Sequence, residues 1–196
     1  MPRPSNTSER QEQIVLGLLE VMAERGYERS SVAAVARAAG LSPGLVHYHF
    51  PAKRSILLRL IDYLADGLVE RLEGRLAQLE APGDRLAAWV EAHLARDAES
   101  DPRRVACWVG AAAEATRDPE VAAAFRSALE RSHAGLVELV REALRARGMS
   151  TRPARSLAAA IQASVQGYFL LSLTAPDAVP AGSASSTLLG LLEGLL

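Results

Sequence analysis

Residues 29–60, RSSVAAVARAAGLSPGLVHYHFPAKRSILLRL, leave this chain few choices of fold. Ser31 and Ser42 each precede a short helix-forming run, and a serine there can accept a hydrogen bond from an amide of the first turn. Between the runs lies Ala39-Gly40-Leu41. Glycine enters the left-handed conformation that ends a helix without steric cost. Ala36, Ala39 and Gly40 are small enough for two helices to cross closely, and Leu41 can fill the space beneath the turn. Pro43 takes the first helical position, where its missing N–H is not needed. The segment therefore predicts two short helices joined by a tight turn, with Val32, Val35, Ala36 and Ala39 facing inward. Leu41 and Phe50 read as core. Five basic residues fall here (Arg29, Arg37, Lys53, Arg54 and Arg59) and no acidic one.

The rest of the chain follows the helical period. Ile14, Leu18, Val21 and Met22 predict a first helix over about 8–26, stopped by Gly26. Ile56, Leu57, Leu60, Ile61, Leu64, Leu68 and Leu72 predict a long fourth helix to about Leu79, ended by Ala81-Pro82-Gly83. Further helices are expected near 84–98, 103–115, 119–147 with a kink near Gly135, 153–174 and 186–195. Aromatic residues make up only 5% of the chain and alanine is abundant, which favours helix over sheet. The expected fold is all-α with about nine helices: an N-terminal three-helix domain over 1–52, with 1–7 a loose arm, and a helical domain over 53–196.

Charge divides the same way. Residues 1–60 hold eight Lys/Arg against five Asp/Glu, and residues 61–196 hold fourteen against eighteen. Only the basic end suits a polyanion. The single cysteine, Cys107, cannot form an intramolecular disulfide and reads as a small core filler. Four histidines and one cysteine show no metal-ligand spacing. No cofactor motif and no nucleophile–base pair is visible. No charged-then-apolar leader opens the sequence, and the apolar window at 157–175 is interrupted by Gln162, Ser164, Gln166 and Ser172. A soluble cytoplasmic protein, not attached to a membrane, is expected.

The spacing SVxxVAxxAGLSxGxVxYHFxxK, carried by Val32, Val35, Ala36, Ala39, Gly40, Ser42, Gly44, Phe50 and Lys53, closely resembles the tetracycline-repressor (TetR) family of bacterial regulators over about residues 10–60. The resemblance implies a helix-turn-helix that binds an operator in double-stranded DNA. It implies that Ser31 contacts phosphate, that Ser42, Pro43, Leu45 and Val46 open the recognition helix, that Gly44 lets the backbone approach DNA, and that Lys53 meets phosphate at the start of helix four. Arg29, His47 and Tyr48 complete the expected DNA-facing set. His47 stands where the family most often has a phosphate-gripping tyrosine; Tyr48 and His49 fit either DNA contact or packing. The run AxWVxxAxEAxRDPE around Trp108 is similar to the BetI-like branch.

The family resemblance also implies a small-molecule effector among the later helices and a homodimer. Candidate lining residues share helical faces: Trp89 and His93; Val105, Trp108 and Ala112; Phe125, Leu129 and His133; Ile161, Val165 and Tyr168. A cationic ligand stacked on Trp89 or Trp108 would fit. Leu170, Leu173, Leu188, Leu191, Leu192 and Leu195 form an apolar surface too large for a monomer and are assigned to a twofold interface. The resulting reading is a ligand-responsive repressor. A helical carrier or enzyme, or an activator or non-specific DNA-binding protein with the same head, remains the alternative.

Overall fold

The computed structural model describes residues 6–95 and 101–193. Among them the order is α1 (Asn6–Arg25), α2 (Val32–Ala38), α3 (Pro43–His49), α4 (Lys53–Leu76), α5 (Pro82–Leu94), α6 (Pro102–Ala115), α7 (Pro119–Ala146), α8 (Ala154–Thr174), a 3-10 turn at Pro176–Ala178 and α9 (Ser183–Glu193). The described residues contain no strand. The all-α expectation therefore holds, with shifted ends. α1 begins within the expected arm, with Glu9 in its first turn complementing the helix dipole. α7 runs unbroken through Gly135. α9 starts directly after Gly182, which turns the chain at φ +74°.

The described residues pack as two compact units, one drawn from Met1–Ala65 and Asp101–Ala128, the other from Asp66–Ser100 and Leu129–Leu196. In the first, α1, α2, α3, the start of α4, α6 and the start of α7 enclose Ile14, Leu18, Leu19, Val35, Val46, Phe50, Ile56, Leu57, Leu60, Ile61, Cys107 and Ala111. α6 lies against α1 through small residues: an added Cβ at Gly110 would come 2.7 Å from Met22 Cε. The Cys107 thiol, fully buried, donates to the Leu19 carbonyl at 3.4 Å, and burial pushes its pKa up to about 12. It is core, as the sequence implied.

The second unit buries Leu86, Trp89, Val90, Leu136, Val140, Leu144, Ala154, Ala158, Ile161, Val165, Leu188 and Leu192. By length and composition alone α8 could cross a bilayer, despite its polar interruptions. In this fold Ala154, Ala158, Ile161 and Val165, which recur at helical spacing, face the unit's core. Gly148, at φ +67°, closes α7: Met149 N donates to Leu144 O at 2.9 Å and Gly148 N to Arg145 O at 3.0 Å.

Candidate nucleic-acid interface

The turn between α2 and α3 is built by the residues that announced it. Ser31 Oγ accepts from Ala34 N at 3.1 Å, capping α2. At the other end Gly40 adopts φ +65°, Leu41 N donates to Ala36 O at 2.8 Å, and Gly40 N donates to Arg37 O at 3.1 Å. This pair of bonds is the Schellman arrangement, which needs a left-handed residue where the glycine stands. Gln13 Nε2, from α1, donates to the Ala39 carbonyl at 2.7 Å and satisfies another orphan acceptor. Ser42 Oγ then accepts from Leu45 N at 3.2 Å, and α3 begins with Pro43. Replacing Ser42 by alanine is expected to cost about 1 kcal/mol, a fall in Tm of about 2–4 °C for a chain this size. A thermal melt with Tm at or above wild type would show that this cap contributes nothing.

Phe50 and Val46, four residues apart, turn inward and anchor α3 to the first core. That anchoring decides which side is outward. Ser42, Pro43, Gly44, His47 and Tyr48 are exposed, Tyr48 to 82%, while Leu45 is half-buried. Val46, expected to open the reading surface, is 0% exposed. It belongs to the core, because its position places it one turn before Phe50 on the same face. Tyr48 does not pack on α1; its ring meets His49 edge-on, with centroids 5.1 Å apart. Ser31, Arg29 and Arg37 are exposed beside α2.

Lys53, the only lysine of the chain, has internal work. Its Nζ donates to the Tyr27 carbonyl at 2.8 Å, lies 3.4 Å from the Glu28 carbonyl and stands 4.0 Å from the centroid of the Tyr27 ring. Burial lowers its pKa, against the opposing pull of Glu114 and Glu28. The ammonium thus ties the start of α4 to the loop before α2. Burial, then the negative charges of Glu114 and Asp118, raise the pKa of Tyr27.

The head's geometry has known counterparts. Residues 14–60 match the bacterial regulatory proteins of the tetR family, and residues 82–196 match the BetI-type transcriptional repressor C-terminal domain. The chain belongs to the TetR family. This TetR-family chain is 26% identical over 184 residues to the HTH-type transcriptional regulator BetI of Brucella suis, covering 94% of this chain and 90% of that one. It is 29% identical over 169 residues to the regulator CymR of Pseudomonas putida, covering 86% and 82%. Among solved structures, a transcriptional regulator from Rhodococcus sp. Rha1 superposes with TM-score 0.78 at 28% identity, covering 94% and 96%. A regulator from Saccharomonospora viridis in complex with choline gives TM-score 0.80 at 23% identity, covering 95% of each chain. The molecule is a DNA-binding transcriptional regulator with a helix-turn-helix head, and not an enzyme.

The TetR-family chain distributes its expected effector residues over both units. Val105, Trp108, Ala112 and Phe125 fall in the first, with the Trp108 and Phe125 rings 4.4 Å apart. Trp89, His93, Leu129, His133, Ile161, Val165 and Tyr168 fall in the second. Trp89 is buried and His93 stacks on it, centroids 3.8 Å apart. His93 Nδ1 lies 2.7 Å from the Trp89 carbonyl, which can only accept, so this nitrogen carries the proton. Burial lowers the His93 pKa to about 4, with the Arg71 charge acting the same way, so the ring is neutral at physiological pH. Gln162 Nε2 donates to Leu129 O at 3.3 Å, which leaves Gln162 Oε1 to accept from His133 Nδ1 at 2.9 Å. Ile161 and Val165 are core side chains, and Tyr168 is half-buried beside them. Among the described residues no group of three or more His, Cys, Asp or Glu is placed to hold a metal ion.

Of the interface leucines, Leu170 is 48% exposed, Leu173 41% and Leu191 63%. Leu188 and Leu192 point the other way into the second core, which α9 needs to stay docked, so they are unavailable to a partner. Leu195 lies outside the described residues. Gly17, Gln13 and the partners of Arg54 are functional contributors that the sequence expectations did not include. A glycine inside an otherwise regular α1 was the one signal available, since helix interiors disfavour glycine without a packing reason.

Proposed function

We propose that residues 1–52 read DNA and residues 53–196 bind an effector and dimerise, making the protein a homodimeric repressor that a small molecule releases from a pseudo-palindromic operator. The outward face of α3 carries this reading. Ser42, Pro43, Gly44, His47 and Tyr48 stand exposed at and beyond the capped N-terminus of α3, the end that a recognition helix presents to base edges. Arg29 and Ser31 are exposed and suit phosphate, as does the backbone at the start of α2, whereas the Lys53 ammonium, expected there too, is committed to the Tyr27 and Glu28 carbonyls. Leu45 contributes its exposed part, and His47 donates a hydrogen bond where a tyrosine would.

The exposed Leu170, Leu173 and Leu191 support a twofold interface, which sets two heads about 34–36 Å apart, or a multiple of that, along the duplex. Release follows if the effector favours a spacing that cannot span both half-sites. The C-terminal match and the choline held by the Saccharomonospora viridis protein make choline the first effector to test. A quaternary ammonium cannot use the His93-covered face of Trp89 without moving that ring. The protein acts where its DNA is, in the cytoplasm.

Selection of genomic fragments by the purified protein, followed by anisotropy titration, tests the reading. One pseudo-palindrome bound far above random DNA is the expected result; only sequence-blind binding overturns specific repression. Saturating choline is expected to weaken the selected complex by about tenfold or more. An unchanged Kd would remove choline as the effector and leave DNA reading intact.

A further inference from the structure

The turn between α6 and α7 touches the helix-turn-helix on both sides. On the leading side, Arg117 Nη1 lies 3.3 Å from Glu28 Oε1, in the loop that feeds α2. On the trailing side, Arg54, in the first turn of α4, meets two carboxylates. Its Nη1 is 3.2 Å from Asp118 Oδ2 and its Nε is 3.2 Å from Glu120 Oε2. Asp118 is itself fixed: its Oδ1 accepts from Glu120 N at 2.9 Å and from Val121 N at 3.2 Å, which caps α7 and leaves Oδ2 for Arg54. These backbone bonds, with the Arg54 guanidinium, hold the carboxyl below its usual pKa. Lys53, bonded to the Tyr27 and Glu28 carbonyls, closes the circuit between the loop and α4. Arg54 thus has the charge of a phosphate contact and the partners of a strut.

We propose that the α6–α7 turn, residues 117–120, is a positioning element for operator binding, bridging Glu28 before α2 and Arg54 after α3 so that the helix-turn-helix is held at one orientation. The proposal rests on DNA reading by α3. Isolated exposed ion pairs contribute little, and the Arg117–Glu28 pair is of that kind. Arg54 differs, because one planar guanidinium engages two carboxylates and one of them is already immobilised as a cap. A strut and a phosphate contact also differ in what salt does. A side chain that neutralises a phosphate contributes about 0.9 to the slope of log affinity against log salt, whereas a strut releases no counterion from DNA and alters the slope only through screening of its own ion pair.

The test uses the full-length protein and its selected operator, titrated across a KCl series well below the melting temperature. Arg54→Gln, Asp118→Asn and the double variant are compared, since asparagine preserves the cap and removes the charge. Each single variant is expected to weaken binding by about three- to tenfold, with the salt slope changed by far less than the roughly 0.9 of a phosphate contact. The double variant should be no weaker than the worse single one, and Arg54→Lys should recover part of the loss. A slope reduced by about 0.9 in Arg54→Gln would make Arg54 a phosphate contact and overturn the proposal. Tighter binding by Asp118→Asn would overturn it too, by showing that the carboxylate withholds Arg54 from DNA. So would wild-type affinity in both single variants. If wild type selects no operator, the reading of α3 fails along with the proposal, and that result is distinct from all of these.

Discussion

Gly17→Leu is expected to abolish operator binding and to lower stability by about 3 kcal/mol or more. A Cβ at position 17 would stand 2.8 Å from the Val35 carbonyl oxygen, 3.0 Å from Ala39 Cβ and 3.1 Å from Ala39 N. Two of these neighbours are backbone, and they are already joined: Ala39 N donates to Val35 O at 2.9 Å. They cannot yield without breaking the last turn of α2. Gln13, one turn earlier on α1, holds the same end through Ala39 O. Gly17→Ala should show the balance of terms. Overpacking costs about 1–3 kcal/mol, and the gain in helix propensity returns about 1 kcal/mol. Gly74→Ala and Gly135→Ala, where an added Cβ meets nothing within 4 Å, are the controls and should be neutral or stabilising. Thermal melts and operator titrations on the four variants decide the matter. Wild-type binding by Gly17→Leu would show that α1 and α2 can part without harm to the head.

The second large effect concerns assembly. Leu173→Glu combined with Leu191→Glu is expected to yield a monomer with operator affinity reduced by about 10²–10⁴, since each head then binds without its tethered twin. Burying one leucine side chain contributes about 1.5–3 kcal/mol, and in the proposed dimer twofold symmetry would make every substitution act twice. Light scattering at micromolar protein reads the assembly, and titration of full and half operators reads the affinity. A double variant that remains dimeric would place the interface elsewhere. Leu188→Glu makes the contrast: it should destabilise the second unit itself, because that side chain is buried within the chain.

The local grammar of the head was legible. Two serines, a proline and Gly40 each occupy the cap or turn position their chemistry favours, and the structure uses them that way. What failed was facing. Val46 lies among the expected DNA-facing residues, although its i, i+4 relation to Phe50 marks it as core. Leu188, Leu191 and Leu192 look alike in the sequence, because on an apolar α9 the period alone does not say which stripe docks inward. Contacts between distant segments left no trace at all. Arg54 and Asp118 are 64 residues apart, and nothing local to either predicts the pair. Gly17 was visible only as a weak helix former, and its neighbour Val35 lies on another helix. The tryptophans show the same limit: their helices were placed correctly, but Trp89 and Trp108 belong to different packing units.

That grouping has an engineering consequence. α6 and the beginning of α7 are buried against α1 and α4, with Cys107 and Ala111 in the same core as Ile14 and Val46. A chimera cut at residue 52, which transplants this reading head onto a foreign sensor, would strip that core of one wall. The packing unit around the head is discontinuous along the chain, so Asp101–Ala128 is expected to have to travel with the N-terminal helices, and a single crossover at residue 52 is expected to give a less stable head.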